Sequence, residues 1–152
     1  MCGIAGVVSA NPIEAALLDD MARRLAHRGP DGQGRHVAGN VGLLHTRLAI
    51  IDLEGGAQPL YNEDRSLVLV ANGEIYNYRE LRSELETLGH RFATHSDCET
   101  ILHGYEAWGI AFLDRLQGMF AFALHDVQRG ELILARDRLG IKPLYYCRDS
   151  RG

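Results

Sequence analysis

The chain has 152 residues, 46% of them hydrophobic and 24% charged, which is ordinary for one globular domain with its own core. Its net charge of −4 and its isoelectric point of about 5.9 argue against nucleic acid or an acidic membrane as a partner. No apolar run approaches the roughly 18–20 residues that a membrane span needs. The first basic residue is Arg23, so the N-terminus does not resemble a signal peptide either.

The cysteines are odd in number and show no paired spacing: they are Cys2, Cys98 and Cys147. This argues against a disulfide framework and against a zinc site, and it fits a reducing cytoplasm. None of the seven histidines forms a metal-ligand pair of the HExxH kind, so we interpret them as structural or surface residues. We therefore expect a cytoplasmic domain without a metal.

The first half of the chain is predicted to contain several strands and one helix. Ile13, Leu17, Leu18, Met21 and Leu25 recur at helical spacing after Pro12, which suits the first helical position. Too many glycines follow for regular structure, which indicates a loop. In order, the pattern predicts a strand over 3–9, a helix over 12–26, a loop over 27–34, strands over 41–47 and 48–52, a loop over 54–59, and a strand over 67–71 that ends in a tight turn at Asn72-Gly73.

The second half predicts two helices and then a hairpin. Leucines at helical spacing follow Asn77 and end at Gly89, and Ser96 to Glu99 have the form of a capping box before a helix that stops at Gly109. Strands are predicted over 119–126, 131–136 and 144–146. Hairpins and grouped helices, without βαβ alternation, indicate an α+β protein in which helices cover antiparallel sheet.

The basic residues near the end of the chain are interleaved with Asp137 and Asp149, which predicts a solvated or interface-facing surface rather than an anion site. They are Arg136, Arg138, Lys142, Arg148 and Arg151.

Cys2 follows the initiator methionine and becomes the N-terminal residue if Met1 is removed. It would then carry a thiol and an α-amine, whose unperturbed pKa values are about 8.5 and about 7.7–8.0. Groups in that range suit acid–base catalysis near neutral pH, and a nucleophile can be activated by its own amine. The alternative is a first strand whose cysteine is a small core side chain.

Other residues also allow two interpretations. Asn72-Gly73 is a turn signal, but a side-chain amide beside a backbone N–H also forms an oxyanion hole. Arg47 is a solvent-exposed strand end or a bidentate ligand for a carboxylate. Asp97 complements a helix dipole or, with Glu74, binds an ammonium group. One arginine and two acids together match an α-amino acid, whereas a metal would need a third ligand that is not apparent.

Eight segments of the chain form a recognisable series: MCGIAG, HRGPDG (27–32), HTRLAIID (45–52), GAQPL (56–60), NGEIYNY (72–78), SDCE (96–99), GMFAFALHD (118–126) and RDRLGIKPLYY (136–146). In this order they resemble the glutaminase domain of glutamine-hydrolysing asparagine synthetases, which are class II amidotransferases of the N-terminal-nucleophile hydrolase type. The resemblance spans nearly the whole chain. It implies a four-layer αββα sandwich over residues 2–152.

The same resemblance implies roles for individual residues. Cys2 would be the nucleophile, with Asn72 and the Gly73 N–H as the oxyanion hole. Arg47 would bind the glutamine carboxylate, Glu74 and Asp97 its amino group, and the backbone of Leu48 and Ile50 would line the pocket. Arg28 and Gly29 would lie in a loop near the entrance.

The resemblance also implies the biological setting. Ammonia from glutamine would pass to a C-terminal synthetase domain, expected to follow this chain, which would use ATP and Mg²⁺ to make asparagine. The glutaminase half itself would need no cofactor. Two alternatives stay open: another class II amidotransferase with a different acceptor, or a degenerate, non-catalytic glutaminase-like module. The oligomeric state, including a homodimer, also stays open.

Overall fold

A computed structural model describes residues 1–49 and 55–148. Within these residues the strands are β1 (Gly3–Val8), β2 (Gly32–Ala38), β3 (Val41–Arg47), β4 (Leu60–Tyr61), β5 (Leu67–Ile75), β6 (Gly118–Asp126) and β7 (Glu131–Arg136). The helices are α1 (Ala15–Leu25), α2 (Tyr78–Thr87) and α3 (Glu99–Trp108), and a 3₁₀ helix follows over Gly109–Asp114. No helix in these two ranges is long and apolar enough to cross a membrane.

The strands form two antiparallel sheets, one with the order β1-β3-β2 and one with the order β4-β5-β6-β7. The longest ladder joins β5 to β6, from Leu67 opposite Asp126 to Ile75 opposite Gly118. Hairpins connect β2 to β3 and β6 to β7, as the α+β interpretation predicts.

The three-stranded sheet is covered by α1 on one face and by the second sheet on the other. Leu44 of β3 packs against Leu18 and Ala22 of α1. Its neighbour Leu43 points the opposite way and packs against Val68 and Val70 of β5, because successive side chains of a strand face opposite sides.

The outer face of the four-stranded sheet is covered by α2 and α3. Leu69 and Phe122 from the sheet share a buried cluster with Leu81 of α2 and with Ile101 and Leu102 of α3. The layers therefore run helix, sheet, sheet, helices, which confirms the predicted four-layer αββα sandwich.

Helix α1 begins three residues later than predicted. The N–H of Ile13 donates to the carbonyl of Gly39, in the turn between β2 and β3, at 3.2 Å. This contact holds the segment around Pro12 against the sheet, so the first helical residue is Ala15. The spacing of apolar residues thus predicted the helix correctly, whereas the contact between Ile13 and Gly39 accounts for its later start.

The predicted loop over 27–34 is wrong at its end, because Gly32 to Gly34 belong to β2. A Cβ atom at Gly34 would collide with the backbone oxygen of Gln58, where the chain makes a cis bond to Pro59. Glycine in a strand often marks such a close approach of a second backbone.

The predicted turn at Asn72-Gly73 is also wrong. Strand β5 continues through both residues, which lie opposite Ala121 and Phe120 of β6. A Cβ atom on Gly73 would lie 2.6 Å from the carbonyl oxygen of Met119. The glycine therefore permits close strand packing, and pairing with β6 overrides the local turn propensity.

Three smaller predictions about secondary structure also need correction. Residues 144–146 form no strand, and Tyr145 and Tyr146 are almost fully exposed. Leu48 follows β3 outside any strand, while residues 50–52 of that predicted strand lie outside the described ranges. The carboxylate of Glu99 accepts hydrogen bonds from the backbone of Ala93 and Thr94 rather than forming the predicted capping box.

Candidate active site

A cavity of about 120 Å³ opens at one end of the two sheets. It collects seven of the eight residues predicted for the site, from four separate stretches of chain: Cys2, Arg47, Leu48, Asn72, Gly73, Glu74 and Asp97. The eighth, Ile50, lies outside the described residues. The site is therefore assembled by the sandwich and not by neighbours in sequence.

Cys2 lies just before β1 and is half-buried. Its Sγ accepts a hydrogen bond from the Leu48 N–H at 3.4 Å and lies 3.5 Å from the Leu48 carbonyl oxygen. The Nε of Arg28 donates to the Cys2 carbonyl at 3.1 Å. Both the sulfur and the backbone of Cys2 are thus held by neighbouring segments, which limits the positions that the thiol can take.

Strand β4 pairs with β5 only at Val68 and Leu69. Beyond that pairing, the side of β5 that faces away from β6 presents backbone N–H groups. The Ala71 N–H donates to Gln58 Oε1 and the Ile75 N–H to Asp97 Oδ2, both at 2.6 Å. Gly73 lies between these residues and has the same orientation, because orientation alternates along a strand.

The partner of Gly73 in β6 confirms this direction. Phe120 directs its backbone away from β5: its N–H donates to Asp137 Oδ2 at 3.2 Å, and its carbonyl accepts from the Asp137 N–H at 2.8 Å. The Gly73 N–H therefore points to the side of the strand opposite β6, and we find no acceptor for it within residues 1–49 and 55–148. It is a fixed donor on the cavity wall.

The side chain of Asn72 extends into the space between the two sheets, as the alternation along β5 from Val68 and Val70 requires. It is 7% exposed. Cys2 lies two residues before Ile4 of β1, which packs toward the second sheet, so the same alternation directs the Cys2 side chain that way. The amide of Asn72 and the Gly73 N–H thus form a corner of donors in the cavity that holds the thiol.

Charged residues of both signs line the cavity, and they come from different elements. Arg47 ends β3 on the face that Leu43 turns toward the second sheet, while Glu74 lies on β5 and Asp97 just before α3. Asp97 is almost completely buried; burial raises its pKa, and the hydrogen bond from the Ile75 N–H opposes this shift. A cationic ligand would favour its ionised form. One arginine and two carboxylates in the same cavity fit the charged groups of an α-amino acid.

The residues of the cavity that were not predicted include two buried titratable side chains, His45 and Cys98. His45 lies on β3 beside Arg47 and is 1% exposed, and burial lowers its pKa to about 4, so the ring is neutral at pH 7. Cys98 is also buried, and burial raises the pKa of its thiol well above the usual range. Cys98 is therefore a poor nucleophile despite its place in the same cavity.

Lys142 departs from the prediction that the basic residues near the end of the chain form a solvated or interface-facing surface. Its side chain lines the cavity and is 8% exposed, with Nζ 3.5 Å from the sulfur of Met1. The carboxylate of Asp137 holds this segment, accepting from the N–H groups of Ile141 and Lys142. The sequence signal that could have indicated a site role for Lys142 is its position within RDRLGIKPLYY, one of the segments that carry the family resemblance.

Comparison with known proteins gives consistent results. A family model described as "Glutamine amidotransferase domain" matches residues 1–152. The chain is 50% identical over 148 residues to asparagine synthetase [glutamine-hydrolyzing] of Zea mays, covering 95% of the chain and 25% of that protein. It is 46% identical over 155 aligned positions to asparagine synthetase B [glutamine-hydrolyzing] of Escherichia coli K12, covering 100% of the chain and 28% of that protein. The chain thus spans about a quarter of the length of these curated relatives.

A solved structure shows the same fold at lower identity. Glutamine phosphoribosylpyrophosphate amidotransferase from Bacillus subtilis, complexed with ADP and GMP, superposes with a TM-score of 0.69 and 23% identity. The match covers 90% of this chain and 37% of the other. The fold described above is therefore shared with that protein.

Proposed function

The chain belongs to the glutamine amidotransferase domain family, and from this premise we propose that it hydrolyses glutamine to glutamate and ammonia with Cys2 as nucleophile. The observation that carries the proposal is that Cys2, Asn72 and Gly73 line the same cavity, so the thiol and the two hydrogen-bond donors face one space. A nucleophile facing a preformed oxyanion hole is what acyl transfer from an amide requires.

The reaction begins after removal of Met1, which converts the peptide nitrogen of Cys2 into a free α-amine. The amine takes the thiol proton, directly or through a water, and the thiolate attacks the side-chain amide carbon of glutamine. Asn72 and the Gly73 N–H stabilise the tetrahedral oxyanion. As the C–N bond breaks, the α-ammonium returns the proton to the departing ammonia. Water then hydrolyses the γ-glutamyl thioester to glutamate and restores the thiol.

Recognition of the substrate falls to the charged residues of the cavity. Arg47 binds the α-carboxylate of glutamine, and Glu74 with Asp97 binds its α-ammonium group. The backbone of Leu48 lines the same pocket, and Ile50 stays a prediction from the resemblance. These contacts fix the α-carbon at one end, so the side-chain amide extends toward Cys2.

The proposed destination of the ammonia is a synthetase domain that follows residues 2–152. The relatives with 45–50% identity are named asparagine synthetases, and this domain accounts for only 20–28% of their length. There ATP and Mg²⁺ would activate aspartate, and ammonia would displace the activating group to give asparagine. The glutaminase half needs neither cofactor. A cytoplasmic location fits the free thiols of Cys2, Cys98 and Cys147.

The direct test is glutamate production by chain whose intact mass shows that Met1 is absent. We expect turnover in this protein and none in Cys2→Ala, while Cys147→Ala, which removes an exposed thiol, keeps full activity. An electrophilic glutamine analogue should label Cys2 and no other cysteine. Absence of turnover and of labelling in protein with a free Cys2 amine would overturn the proposal and favour the non-catalytic alternative.

A further inference from the structure

A second cluster of titratable side chains lies outside the cavity and has no part in the proposed reaction. Glu63 follows β4, His90 follows α2, and His103 and Glu106 lie one turn apart on α3. Donor atoms of Glu63, His90 and His103 all lie within 4.8 Å of one another. Two imidazoles and two carboxylates thus come together from three separate segments.

The spacing of these atoms suits a small ion. The Nδ1 of His103 lies 2.9 Å from Glu106 Oε2 and 4.0 Å from Glu63 Oε2, and the Nδ1 of His90 lies 3.4 Å from Glu106 Oε2. A tetrahedral zinc ion about 2.0–2.1 Å from each ligand holds neighbouring ligand atoms about 3.3 Å apart. Small rotations of these side chains would reach that geometry.

The outer atoms of the same side chains are already held by other groups. The Arg91 N–H donates to Glu63 Oε1 at 3.1 Å, and Asn62 Nδ2 donates to Glu106 Oε1 at 2.8 Å. In both carboxylates the second oxygen, Oε2, is left directed at the imidazoles.

Behind His103 lies the carboxylate of Glu99, although His103 Nε2 makes no hydrogen bond within the described residues. Its Nε2 lies 3.5 Å from Oε1 of Glu99, and both side chains are 1% exposed. Glu99 is itself fixed by the N–H groups of Ala93 and Thr94 and by the Thr94 hydroxyl. A carboxylate behind a ligating histidine is the usual outer contact of a zinc site, because it orients the ring and makes it a better donor.

We propose that Glu63, His90, His103 and Glu106 form a binding site for a divalent transition ion, with Zn²⁺ as the preferred occupant. The ion would replace the proton that lies between His103 and Glu106. Imidazole nitrogen with carboxylate oxygen suits zinc, whereas Mg²⁺ and Ca²⁺ require oxygen ligands. Glu63 is half-exposed, which leaves a path for the ion to enter.

Such an ion would join three parts of the chain: the turn after β4, the segment after α2, and helix α3. Its role would be structural, because the described residues around it include no part of the predicted glutaminase machinery. The sequence argued against zinc from cysteine spacing, and this set contains no cysteine.

The test is equilibrium binding of Zn²⁺ to chelator-treated chain, measured by competition with a chromophoric chelator. We expect one saturable site, at least 100-fold weaker binding of Mg²⁺, and at least tenfold weaker Zn²⁺ binding in His90→Gln and in Glu63→Gln. Glu63 is half-exposed and His90 lies in the loop after α2, so both variants should keep the fold, which circular dichroism checks. His27→Gln and Glu131→Gln, at exposed positions away from the cluster, are matched controls and should bind as the parent does.

Replacement of zinc by Co²⁺ identifies the ligand atoms. The proposal predicts an absorption spectrum of nitrogen and oxygen ligation, unchanged by Cys2→Ala and Cys147→Ala. A thiolate-to-cobalt charge-transfer band, or zinc affinity that is equal in the parent, His90→Gln and Glu63→Gln, would overturn it. Lack of saturable binding would do the same, and none of these results bears on glutamine hydrolysis.

Discussion

Strand β5 has two halves with different surroundings, although both pair continuously with β6. In the first half, Leu67–Ala71, every residue is buried, with side chains alternating between the helix-facing core and the core between the sheets. In the second half, Asn72, Gly73 and Glu74 line the cavity. One ladder of hydrogen bonds thus supports both the core and the candidate site.

The two halves of β5 therefore have different tasks: the first half stabilises the fold, and the second half supplies groups for catalysis. Apolar burial in the first half holds the strand in place, so the second half can present polar groups that contribute little to folding. Groups on a rigid strand are positioned more accurately than groups on a loop, which electrostatic stabilisation of a transition state requires. The following predictions test how far this separation holds.

The largest effect is expected in the core half. Leu69 is fully buried, so Leu69→Ala should lower the free energy of unfolding by about 2–5 kcal/mol, through lost burial and the cavity left behind. Chemical denaturation measures this change. The kcat of the folded protein should stay within about twofold, because Leu69 does not line the cavity. A loss below about 1 kcal/mol would contradict the assignment of this half as core.

The site half should show the opposite pattern. Asn72→Ala should lower kcat for glutamine hydrolysis by about 10²–10³-fold, or about 2.7–4 kcal/mol of barrier, because one donor to the oxyanion is lost. Steady-state kinetics on processed protein measures it. Asn77→Ala is the matched control: that side chain bonds Arg115 and Gln117 outside the cavity, so stability should fall while kcat stays. Equal kcat in parent and Asn72→Ala would remove Asn72 from the site.

His45 lies on β3 against the boundary between the halves, and its titration should make stability depend on pH. Its pKa is about 4 in the fold and ordinarily 6.5, so folding favours the neutral ring. The contribution is fully present above pH 6.5 and is lost as pH falls toward 4, by on the order of 3 kcal/mol.

The measurement is the difference in unfolding free energy between the parent and His45→Gln at several pH values. Taking the difference cancels the contributions of His36 and His125, whose pKa values are also lowered by burial. A difference that does not change between pH 6.5 and 4 would show that His45 is not buried as a neutral ring.

Gly73→Ala should lower both stability and kcat, because this residue of the site half is also packed against β6. Its effect on stability should be the smallest of those predicted here. Its Cβ would lie 2.6 Å from Met119 O and 2.7 Å from Phe120 Cβ, so overpacking should cost about 1–3 kcal/mol. The displaced N–H should also reduce kcat. Gly32→Ala, whose Cβ would meet nothing closer than 3.9 Å, is the control for glycine replacement in a strand. If both variants unfold at the same denaturant concentration, the packing argument at Gly73 fails.

Periodicity along the chain predicted most of the fold, because the elements bury one face each. The helices around Leu18, Leu85 and Ile101 and the strands over 41–47 and 67–71 follow this rule. It failed where a distant segment decides the local conformation. Gly32 to Gly34 and Asn72-Gly73 carry strong turn signals, yet each lies in a strand because another backbone packs closely against it.

The candidate site was predicted less directly. The roles assigned to Cys2, Asn72 and Asp97 came from resemblance to a family, since no spacing in the sequence relates residue 2 to residue 72. Lys142 was misplaced because charge pattern alone predicts a solvated lysine, whereas the turn around Asp137 brings this one to the cavity. The cluster of Glu63, His90 and His103 left no local pattern, because its members come from three segments.

The sequence by itself determined the class of fold and the kinds of groups available: alternating and helical apolar patterns specify which faces are buried, and a cysteine after the initiator methionine supplies a thiol beside a latent amine. Only the tertiary structure decided which groups meet. Stacking two sheets places the start of β1 against the second half of β5, and antiparallel pairing with β6 turns the Gly73 N–H toward the cavity. Pairing and stacking act between residues far apart in the chain, and local propensity carries no information about such contacts.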